Sequence, residues 1–473
     1  MKIALLLPPM KLEERYGRNI SKMAGTLPPL GLLYLGAALK KTGHIPLIYD
    51  GSRIDLKSII SSLKEENPEV IGISTLTFLW PKVKEIIKIL KEIFPKSIFI
   101  IGGPHASIYG KQALEESDEF DILVYGEGEI TVVELIEKIK KRESLTGVNG
   151  IIYRQGRDLI INPAREFIKD LDSNVLPARE LLNITDYIPA FSQYKRLPVT
   201  NMFTTRGCPF NCIFCTPGSL GKKVRYRSAE KVVDEVEVLY HEYGIREIAF
   251  WDDTFVLDRK RVLDICNIII NKKLNIIWSA QARVNLVDKE LLEAMADAGC
   301  WKLHYGVESG VQKTLDSFHK GTRVTDAYNA VSWTKQARIE VETSFVFGAP
   351  NETYQDGLKT IKHAIELNPD YARFFLLAPF DSLIAARLKP YGEIITNDFK
   401  RFQGYEPTFI PYSMNKKQMQ RLFFLSYVKF YTNFRYILKR LAKLNKKGIK
   451  DSLLGFRVIL SMLKDLLVSN FNR

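Results

Sequence analysis

The sequence predicts an α/β protein with two αβ regions followed by a basic helical segment. First, short apolar runs alternate with helical patterns through residues 1–141. Second, the same alternation resumes through residues 198–379, after a stretch of different character. Third, residues 416–473 have the spacing of amphipathic helices and a large excess of positive charge. At 473 residues the chain is also long enough to form two or three domains.

The N-terminal region contains five βα units. Its apolar runs are IALLL, PLIY, VIGIS, SIFIIGG and DILVYG, and its helical patterns cover Leu30–Lys40, Ser58–Glu66, Val83–Ile93, Lys111–Glu116 and Ile130–Lys140. This alternation predicts a doubly wound, Rossmann-like parallel sheet, whose ligand crevice lies at the carboxyl ends of the strands. We assign residues 1–145 to this domain.

The loops at these strand ends are rich in small and turn-forming residues, which leave room for a large ligand. The candidate contacts are Ser74, Thr75, Gly102, Gly103, His105, Gly126 and Glu127. The alternative is that glycine and proline only turn the chain at these positions. The spacing does not separate the two interpretations.

Residues 146–192 are predicted to connect the two αβ regions. Within them, 150–163 has the pattern of a β-hairpin that turns at Gln155-Gly156, and a polar stretch containing Pro177 follows. The second region, 193–410, repeats a strand-and-helix pattern six times. Six such repeats predict a partial (β/α)6 barrel with its active site on the loops after the strands.

The C-terminal segment, 411–473, is predicted to be helical. From Lys416 to Arg473 there are 14 Lys and Arg residues against Asp451 and Asp465, so this segment carries +12 of the total charge of +14. Leu, Val, Ile, Phe and Met recur among these charges at helical spacing, a pattern that suits an anionic membrane surface. The alternative is a basic helical cap packed on the barrel.

The composition limits the class of protein. With 46% hydrophobic and 26% charged residues, the chain has the composition of a folded globular protein. It has only five cysteines, three of them close together, which excludes a secreted disulfide framework and indicates a reducing cytoplasm. No signal peptide or uninterrupted membrane-spanning run is present, so we expect a cytoplasmic protein that is soluble or peripherally bound to the membrane.

The strongest chemical motif is TTRGCPFNCIFCTPG, which contains Cys208, Cys212 and Cys215. The spacing places three thiolates on one side of a tight loop, where they can bind three irons of a four-iron cluster. Electron-transfer clusters normally have four cysteine ligands, so the fourth iron here is left open to a substrate or cosubstrate. Cys266 and Cys300 lie far away in the sequence and are expected to be small buried residues.

The alternative for the three cysteines is a structural zinc site. Such a site needs a fourth ligand, usually His or Cys at a paired spacing, and no histidine lies nearer than His241. A zinc-containing nucleic-acid-binding module, with the basic tail on phosphates, is the hypothesis of another class. The apolar residues within the tail make nucleic acid a less suitable partner than a membrane.

The cysteine spacing, with an aromatic residue at Phe214, resembles the cluster loop of the radical S-adenosylmethionine (SAM) superfamily. The resemblance implies a [4Fe-4S] cluster bound by the three cysteines, and SAM bound around it by later strand ends. It implies that Asp252 and Asp253 stand where the family binds the methionyl amine, although they depart from its GGE-like segment. It also implies contacts of Arg283 with the methionyl carboxylate, Glu308 with the ribose and Gly348 with the adenine.

An α/β domain before such a barrel, with PPLGLLYLGAAL, IGGPHAS and YGEGE, resembles the cobalamin-binding radical SAM enzymes. These include class B methyltransferases and anaerobic magnesium-protoporphyrin monomethyl ester cyclases. Methylthiotransferases are less similar, because their N-terminal domain carries cysteines and this one has none. The DxHxxG motif of many cobalamin proteins is missing, so His105 is a candidate for approaching the cofactor and a solvated loop histidine is the alternative.

The resemblance implies that a reduced cluster cleaves SAM to a 5′-deoxyadenosyl radical, which abstracts hydrogen from an unactivated carbon of a small-molecule substrate. Methylcobalamin would then methylate that carbon, and no side chain is required as a general base. An oxidative cyclase that uses both cofactors without methyl transfer is the main alternative. A flavodoxin or ferredoxin is the expected electron donor, and the apolar residues of the basic tail suggest a lipid-like substrate.

Overall fold

A computed structural model describes residues 1–14, 21, 24–216 and 221–442. The N-terminal sheet has seven strands in the order β2-β1-β3-β4-β5-β6-β7. The strands are β1 (Lys2–Leu7), β2 (Ile45–Asp50), β3 (Val70–Ser74), β4 (Ile98–Gly102), β5 (Ile122–Val124), β6 (Ile151–Gln155) and β7 (Asp158–Ile161). The first five are parallel, which confirms the predicted doubly wound sheet.

Helices cover both faces of this sheet. They are α1 (Leu30–Lys41), α2 (Leu56–Glu66), α3 (Trp80–Ile93), α4 (Pro104–Tyr109), α5 (Lys111–Glu115) and α6 (Gly128–Lys141). Apolar residues of α1 and α6 pack on one face of the sheet, and those of α2 to α5 pack on the other. Because both faces are buried, the central strands are apolar throughout and do not alternate with polar residues.

The hairpin β6-β7 belongs to this sheet and is not part of a separate linker. Strand β6 pairs antiparallel with β5, where Ile122 lies opposite Tyr153, and β7 then pairs with β6. The apolar residues Ile151 and Ile152 are buried against the same sheet, which explains why the hairpin joins it. The sheet therefore extends past residue 145, where the sequence suggested the domain would end.

The second region contains a six-stranded parallel sheet in the order β15-β14-β13-β12-β11-β8. Its strands are β8 (Val199–Met202), β11 (Glu247–Phe250), β12 (Ile277–Ala282), β13 (Cys300–Glu308), β14 (Glu340–Phe347) and β15 (Tyr371–Leu376). Two short antiparallel pairs accompany it: β9 (Thr205–Arg206) with β10 (Arg225–Tyr226), and β16 (Gly392–Ile394) with β17 (Phe409–Pro411). The predicted partial barrel is confirmed.

The remaining helices surround this sheet or follow it. They are α7 (Ala229–His241), α8 (Arg259–Asn271), α9 (Lys289–Asp297), α10 (Gln312–Ser317), α11 (Val324–Gln336), α12 (Tyr354–Leu367), α13 (Ser382–Leu388), α14 (Lys416–Tyr431) and α15 (Phe434–Ala442). Six of these helices begin after a residue whose side chain accepts a hydrogen bond from the backbone N–H three positions later: Ser228, Asp258, Asp288, Thr353, Asp381 and Asn415. These caps fix where each loop ends and its helix begins.

Side chains alternate across the barrel strands. Apolar residues such as Trp278, Leu303 and Phe374 point outward into the core beneath the helices. The intervening positions face the concave side, which we call the lumen, and include Gln281 and His304. Polar residues at these positions indicate that the lumen is a site for a ligand.

The first tail helix, α14, packs on the barrel. Strand β15 is the edge of the sheet, and two tyrosines of α14 bind its free backbone groups. The Tyr427 hydroxyl lies 3.3 Å from the N of Phe374 and 3.2 Å from its O, and the Tyr431 hydroxyl lies 3.2 Å and 2.7 Å from the same atoms of Ala372. For α14, the interpretation as a cap on the barrel is therefore confirmed.

The next helix, α15, leaves apolar side chains uncovered. Phe434 is 71% exposed, and Ile437 and Leu438 on the same side of the helix are also exposed. The second predicted amphipathic segment, around Leu453–Leu467, lies outside the described residues. In the described part of the chain, no helix combines the length and the apolar character needed to cross a bilayer.

Candidate functional site

The cysteine loop follows β9 and is anchored to the barrel. The N–H of Ile213 donates to Phe318 O at 3.0 Å, and the N–H of Cys215 donates to Cys212 O at 3.1 Å. Phe214 packs edge-on against the ring of Phe318, with 4.9 Å between centroids. The aromatic residue of the motif thus fixes the shape of the loop.

The three thiols share one electrostatic environment. Burial raises the pKa of Cys208, and it raises the pKa of Cys215 to about 12. The charges of Cys212 and Asp253 also raise the pKa of both thiols. A thiol with a raised pKa keeps its proton near neutral pH. Metal coordination favours the thiolate, because a bound metal displaces the proton.

This arrangement fits an iron–sulfur cluster. Within the described ranges, no three His, Cys, Asp or Glu side chains converge as ligands of one metal ion. A four-iron cluster does not need that convergence, since each thiolate binds a different iron. Cys266 and Cys300 are buried in the hydrophobic core outside the loop, as expected.

Arg283 brings a positive charge to the thiols. It follows β12, and its Nη1 lies 3.8 Å from Cys212 Sγ, while its guanidinium stacks on Phe210 at 3.5 Å from the ring centroid. Another guanidinium nitrogen donates to the carbonyl of Lys320. The buried Nε has no partner among the described residues, so this side chain retains a donor for an anionic ligand.

Glu308 lies at the end of β13, beside a register shift in the pairing with β14. Its φ of +66° is unusual for a residue with a side chain, and such strain is concentrated at functional sites. Its carboxylate is buried and pairs with Lys320 Nζ at 2.8 Å. Burial and the neighbouring negative charges raise the pKa of Cys215, and Lys320 lowers it by a smaller amount. The ion pair therefore lies near the cysteine loop.

The two predicted aspartates have different environments. Asp252 is completely buried, and its carboxylate accepts hydrogen bonds from the N–H groups of Thr204 and Thr205 at 2.6 and 2.9 Å. It therefore holds the strand end before the cysteine loop. Asp253 is exposed and influences Cys208 and Cys215, so only Asp253 has a carboxylate available near the cluster loop.

Gly348 directly follows β14 with a φ of +98°, and a Cβ atom there would lie 2.6 Å from Met419 Cε. The N–H groups of Gly348 and Ala349 donate to Glu352 Oε2 at 2.6 and 3.1 Å. Burial raises the pKa of Glu352 to about 7, and its Oε1 has no partner in the described chain. Glu352 was missed in the sequence, although it follows the predicted glycine closely.

The N-terminal domain contains a cavity of about 250 Å³ between the sheet, α1 and α6. Five of the predicted contacts line it: Ser74, Gly102, Gly103, Gly126 and Glu127. Gly103 has a φ of +89°, and a Cβ atom there would lie 2.7 Å from Ser74 Oγ. The small residues therefore keep the strand ends open, and the cavity continues into an apolar interior lined by Leu5, Leu32 and Val132.

Two predicted contacts do not line this cavity. Thr75 is fully buried, and its N–H donates to Gly102 O at 3.0 Å. His105 lies within the first turn of α4, which directs its ring to the opposite face of the sheet, between Trp80 at 4.6 Å and Tyr109 at 4.5 Å. Burial lowers its pKa to about 4, so the structure places His105 in an aromatic core and neither at the cofactor cavity nor in solvent.

Glu127 connects the cavity to the barrel. Arg206 donates to Glu127 at 2.9 Å and to Glu129 at 2.6 Å, and Arg225 also pairs with Glu127 at 2.8 Å. All four side chains are buried. The oxygens of Glu127 are thus bound by arginines, so its carboxylate shapes the cavity wall through an ion-pair network.

Arg206 is a candidate site residue that the sequence interpretation missed. It lines the cavity, and it stands only two residues before Cys208. Its adjacency to the motif in TTRGC was the available signal. A single side chain therefore joins the wall of the N-terminal cavity to the loop of the cysteines.

The chain matches known families in both regions. Residues 202–364 match the radical SAM superfamily, and residues 19–136 match the B12 binding domain. An uncharacterized methyltransferase from Pyrococcus horikoshii is 31% identical over 463 residues, which cover 96% of this chain and 98% of that protein. The anaerobic magnesium-protoporphyrin IX monomethyl ester cyclase of Cereibacter sphaeroides is 29% identical, and the alignment covers 89% of this chain and 69% of the cyclase.

A solved structure has the same fold over most of the chain. It is the radical SAM methyltransferase TsrM from Kitasatospora setae, with cobalamin and a [4Fe-4S] cluster bound. The TM-score is 0.68 at 19% identity, and the alignment covers 89% of this chain and 85% of TsrM.

The fold and the cysteine loop define a radical SAM enzyme. The chain belongs to the branch of this superfamily that carries a cobalamin-binding domain. Its cofactors are a [4Fe-4S] cluster, SAM and cobalamin. This membership does not support the alternative of a zinc-containing nucleic-acid-binding module.

Proposed function

We propose that this enzyme transfers a methyl group from SAM, by way of cobalamin, to an unactivated carbon of a small-molecule substrate. When bound, the cluster and SAM supply a radical that removes hydrogen from such a carbon, and cobalamin supplies the methyl group. The observation that carries the proposal is Arg206. It lines the N-terminal cavity and lies two residues before Cys208, which supports a cobalamin site next to the cluster loop.

The roles of the barrel residues follow from their environments. Cys208, Cys212 and Cys215 would bind the cluster. The unpaired Nε of Arg283 suits the methionyl carboxylate of SAM, and Asp253, with an exposed carboxylate, suits the methionyl amine. The Glu308–Lys320 pair suits the ribose hydroxyls, since it can both accept and donate hydrogen bonds.

The lumen would hold the substrate. Trp251, at the end of β11, is 39% exposed on this side, and Phe375 of β15 is only partly buried. An aromatic wall fits a substrate with an apolar part. The side chains then have to orient the carbon that reacts and keep water away from it, and none needs to act as a general base.

The test is an anaerobic assay with methyl-labelled SAM. The reconstituted enzyme should form 5′-deoxyadenosine and a product that carries the label. Cys215→Ala should abolish both and retain cobalamin, whereas Cys266→Ala, at a buried cysteine outside the loop, should retain both activities.

A product that forms with 5′-deoxyadenosine but never acquires the label would refute methyl transfer. That result would instead favour oxidation or rearrangement without methyl transfer; one similar protein, from Cereibacter sphaeroides, is named as a cyclase. Replacing a chemical reductant by purified flavodoxin or ferredoxin in the same assay tests our proposal that such a protein is the electron donor.

Peripheral membrane association would have to involve the region after α14, because α14 itself packs on the barrel. The exposed Phe434, Ile437 and Leu438 of α15 alternate with basic residues, and more basic residues follow in 443–473. We expect sedimentation with anionic vesicles, weakened by Phe434→Asp and unchanged by Tyr412→Asp at another exposed aromatic residue. Equal sedimentation of both variants with wild type would contradict this assignment.

A further inference from the structure

The middle of the lumen carries polar side chains from four consecutive strands. Gln281 of β12 lies beside His304 of β13 in the strand register. On the next two strands, Ser344 of β14 lies beside Arg373 of β15. The register also places Gly306, two residues before Glu308, beside Ser344. These residues therefore lie just below the Glu308–Lys320 pair, inside the barrel.

Arg373 has one occupied edge and one open edge. Its Nε pairs with Glu342, and among the described residues no second carboxylate pairs with Arg373; Tyr405 and Tyr427 also act on its charge. The side chain is 39% exposed although it lies on the inner side of a sheet, so it faces the open space of the lumen. A guanidinium in this state retains donors in the fork geometry that matches an oxyanion.

Glu342 holds Arg373 in place and is itself saturated. Its buried carboxylate pairs with Lys302 Nζ at 3.0 Å and accepts from Gln193 Nε2 at 3.1 Å, in addition to Arg373. Although burial alone would raise its pKa, Arg373 and Lys302 hold the pKa of Glu342 well below its usual range. Glu342 is therefore a carboxylate that orients Arg373.

The cluster brings two basic side chains to one carboxylate. Lys302 and Arg373 are two cations for the single carboxylate of Glu342. Glu247, which also influences Lys302, directs its oxygens to the N–H groups of Lys195 and Arg196 and to Trp301. Burial raises the pKa of Glu247 and lowers the pKa of Lys302. The Lys302 side chain is buried and that of Arg373 is 39% exposed, so Arg373 is the cation that an anionic group in the lumen would meet.

Neutral hydrogen-bonding groups adjoin Arg373. Burial lowers the pKa of His304 to about 4, so the ring is neutral, and its Nε2 has no partner among the described residues. Gln281 is exposed although it lies within a sheet. Gln281 and His304 share one level of the sheet with Glu342, and Arg373 lies at the next level beside Ser344. An arginine, an imidazole and an amide that face one lumen from neighbouring levels have the composition of a recognition site. A purely structural network would satisfy its buried polar atoms internally.

We propose that Arg373 recognises the substrate by an oxyanion, a carboxylate or phosphate group, with His304 and Gln281 as additional hydrogen-bonding partners. The inference deepens the proposed function, on which it rests, by naming the chemical class of the molecule that the lumen accepts. It is compatible with an apolar remainder of the substrate against Trp251 and Phe375. The anionic group would lie deep in the lumen, so that a carbon above it faces the cysteine loop.

The first experiment tests the site without requiring turnover. The anaerobic holoenzyme is treated with phenylglyoxal, and the modification of individual arginines is followed by peptide mass mapping. The buffer contains sodium phosphate, sodium acetate or, at the same ionic strength, sodium chloride. Arg157, exposed in the β6-β7 turn, is the internal control.

We expect Arg373 to be modified in chloride. Phosphate or acetate should slow the modification of Arg373 at least about threefold, provided that the anion concentration exceeds twice its dissociation constant. The rate at Arg157 should not depend on the anion. Equal rates at Arg373 in all three salts would overturn the inference, and so would an Arg373 that is not modified in chloride. The anion that protects Arg373 shows whether the site binds a phosphate or a carboxylate group.

The second experiment uses methyl-labelled SAM with a small-molecule extract of the cells that make this protein, divided by anion exchange. Label should appear only in products from the retained, anionic fraction, and phosphatase treatment of that fraction separates phosphate from carboxylate substrates. Arg373→Gln should raise KM roughly 10- to 100-fold, the loss typical of a hydrogen bond to a charged group. Arg373→Lys should have a smaller effect, and Arg157→Gln should have none.

The outcomes separate the two proposals. Labelled product from the unretained, uncharged fraction would overturn the role of Arg373 and leave methyl transfer intact. If no fraction acquires label although oxyanions protect Arg373, the proposed function fails while the anion site stands. An Arg373→Gln variant with unchanged KM would also overturn the inference.

Discussion

Glu352 offers a sharp test, because one buried carboxyl should make the stability of the barrel depend on pH. Its side chain is almost completely buried, and burial raises its pKa from 4.5 to about 7 despite hydrogen bonds from Gly348 and Ala349. The folded state therefore binds a proton more tightly than the unfolded chain. The resulting stabilisation is complete below the unfolded pKa of 4.5 and is lost as the pH rises through 7.

The magnitude follows from the two pKa values. A shift of about 2.5 units corresponds to about 3 kcal/mol of differential stability between the limits of low and high pH. About 2 kcal/mol of this should be lost between roughly pH 5.5 and pH 8, where the folded-state carboxyl gives up its proton. Glu352→Gln mimics the protonated form at every pH and can still accept from the two N–H groups, so it should not show this loss.

Urea unfolding of the anaerobic holoenzyme across this pH range measures the effect as the difference between wild type and Glu352→Gln. The free energy of unfolding of wild type should fall relative to the variant as pH rises. Glu393→Gln, at an exposed glutamate, serves as the matched control and should follow wild type. If wild type and Glu352→Gln change in parallel, Glu352 is not protonated in the folded protein and the reasoning from its burial is wrong.

Three further predictions test the placement of other residues. Arg206→Met should leave two buried carboxylates undercompensated, lower stability by about 3–5 kcal/mol and reduce cobalamin content, as measured by thermal unfolding and by absorption of the purified protein. His105→Leu should retain full cobalamin content, because its ring lies in the aromatic core; loss of cobalamin would reinstate it as a cofactor contact. Tyr427→Phe should cost about 1–3 kcal/mol in urea unfolding, because it strips hydrogen bonds from Phe374; no change would show that water replaces them.

Local patterns predicted the two parallel sheets and the loop of cysteines. Strands buried on both faces are continuously apolar, and βα alternation restricts their topology, so the sheets could be recognised from the sequence. The three cysteines are close in sequence, so their grouping required no knowledge of the fold. The outcome was different for residues whose roles depend on distant neighbours.

Asp252 and His105 show why those roles could not be read in advance. Asp252 and Asp253 are adjacent and chemically identical. Only the structure shows that the carboxylate of Asp252 accepts hydrogen bonds from the N–H groups of Thr204 and Thr205. His105 follows a glycine-rich strand end, but the first turn of α4 rotates its ring to the other face of the sheet. Arg373, 165 positions after Cys208 in the sequence, becomes a candidate only when the register places it beside Ser344.

The tyrosines of α14 can cover the edge strand β15 only after α14 has been synthesised, which leaves a period in which the barrel can misassemble. Strand β15 is complete about 40 residues before α14 begins, so during synthesis its outer N–H and C=O groups remain without the hydroxyls of Tyr427 and Tyr431. An uncovered edge strand is a template for pairing with another chain. Truncation before residue 416 should therefore yield aggregates through strand pairing, whereas truncation after residue 442 should leave the edge protected.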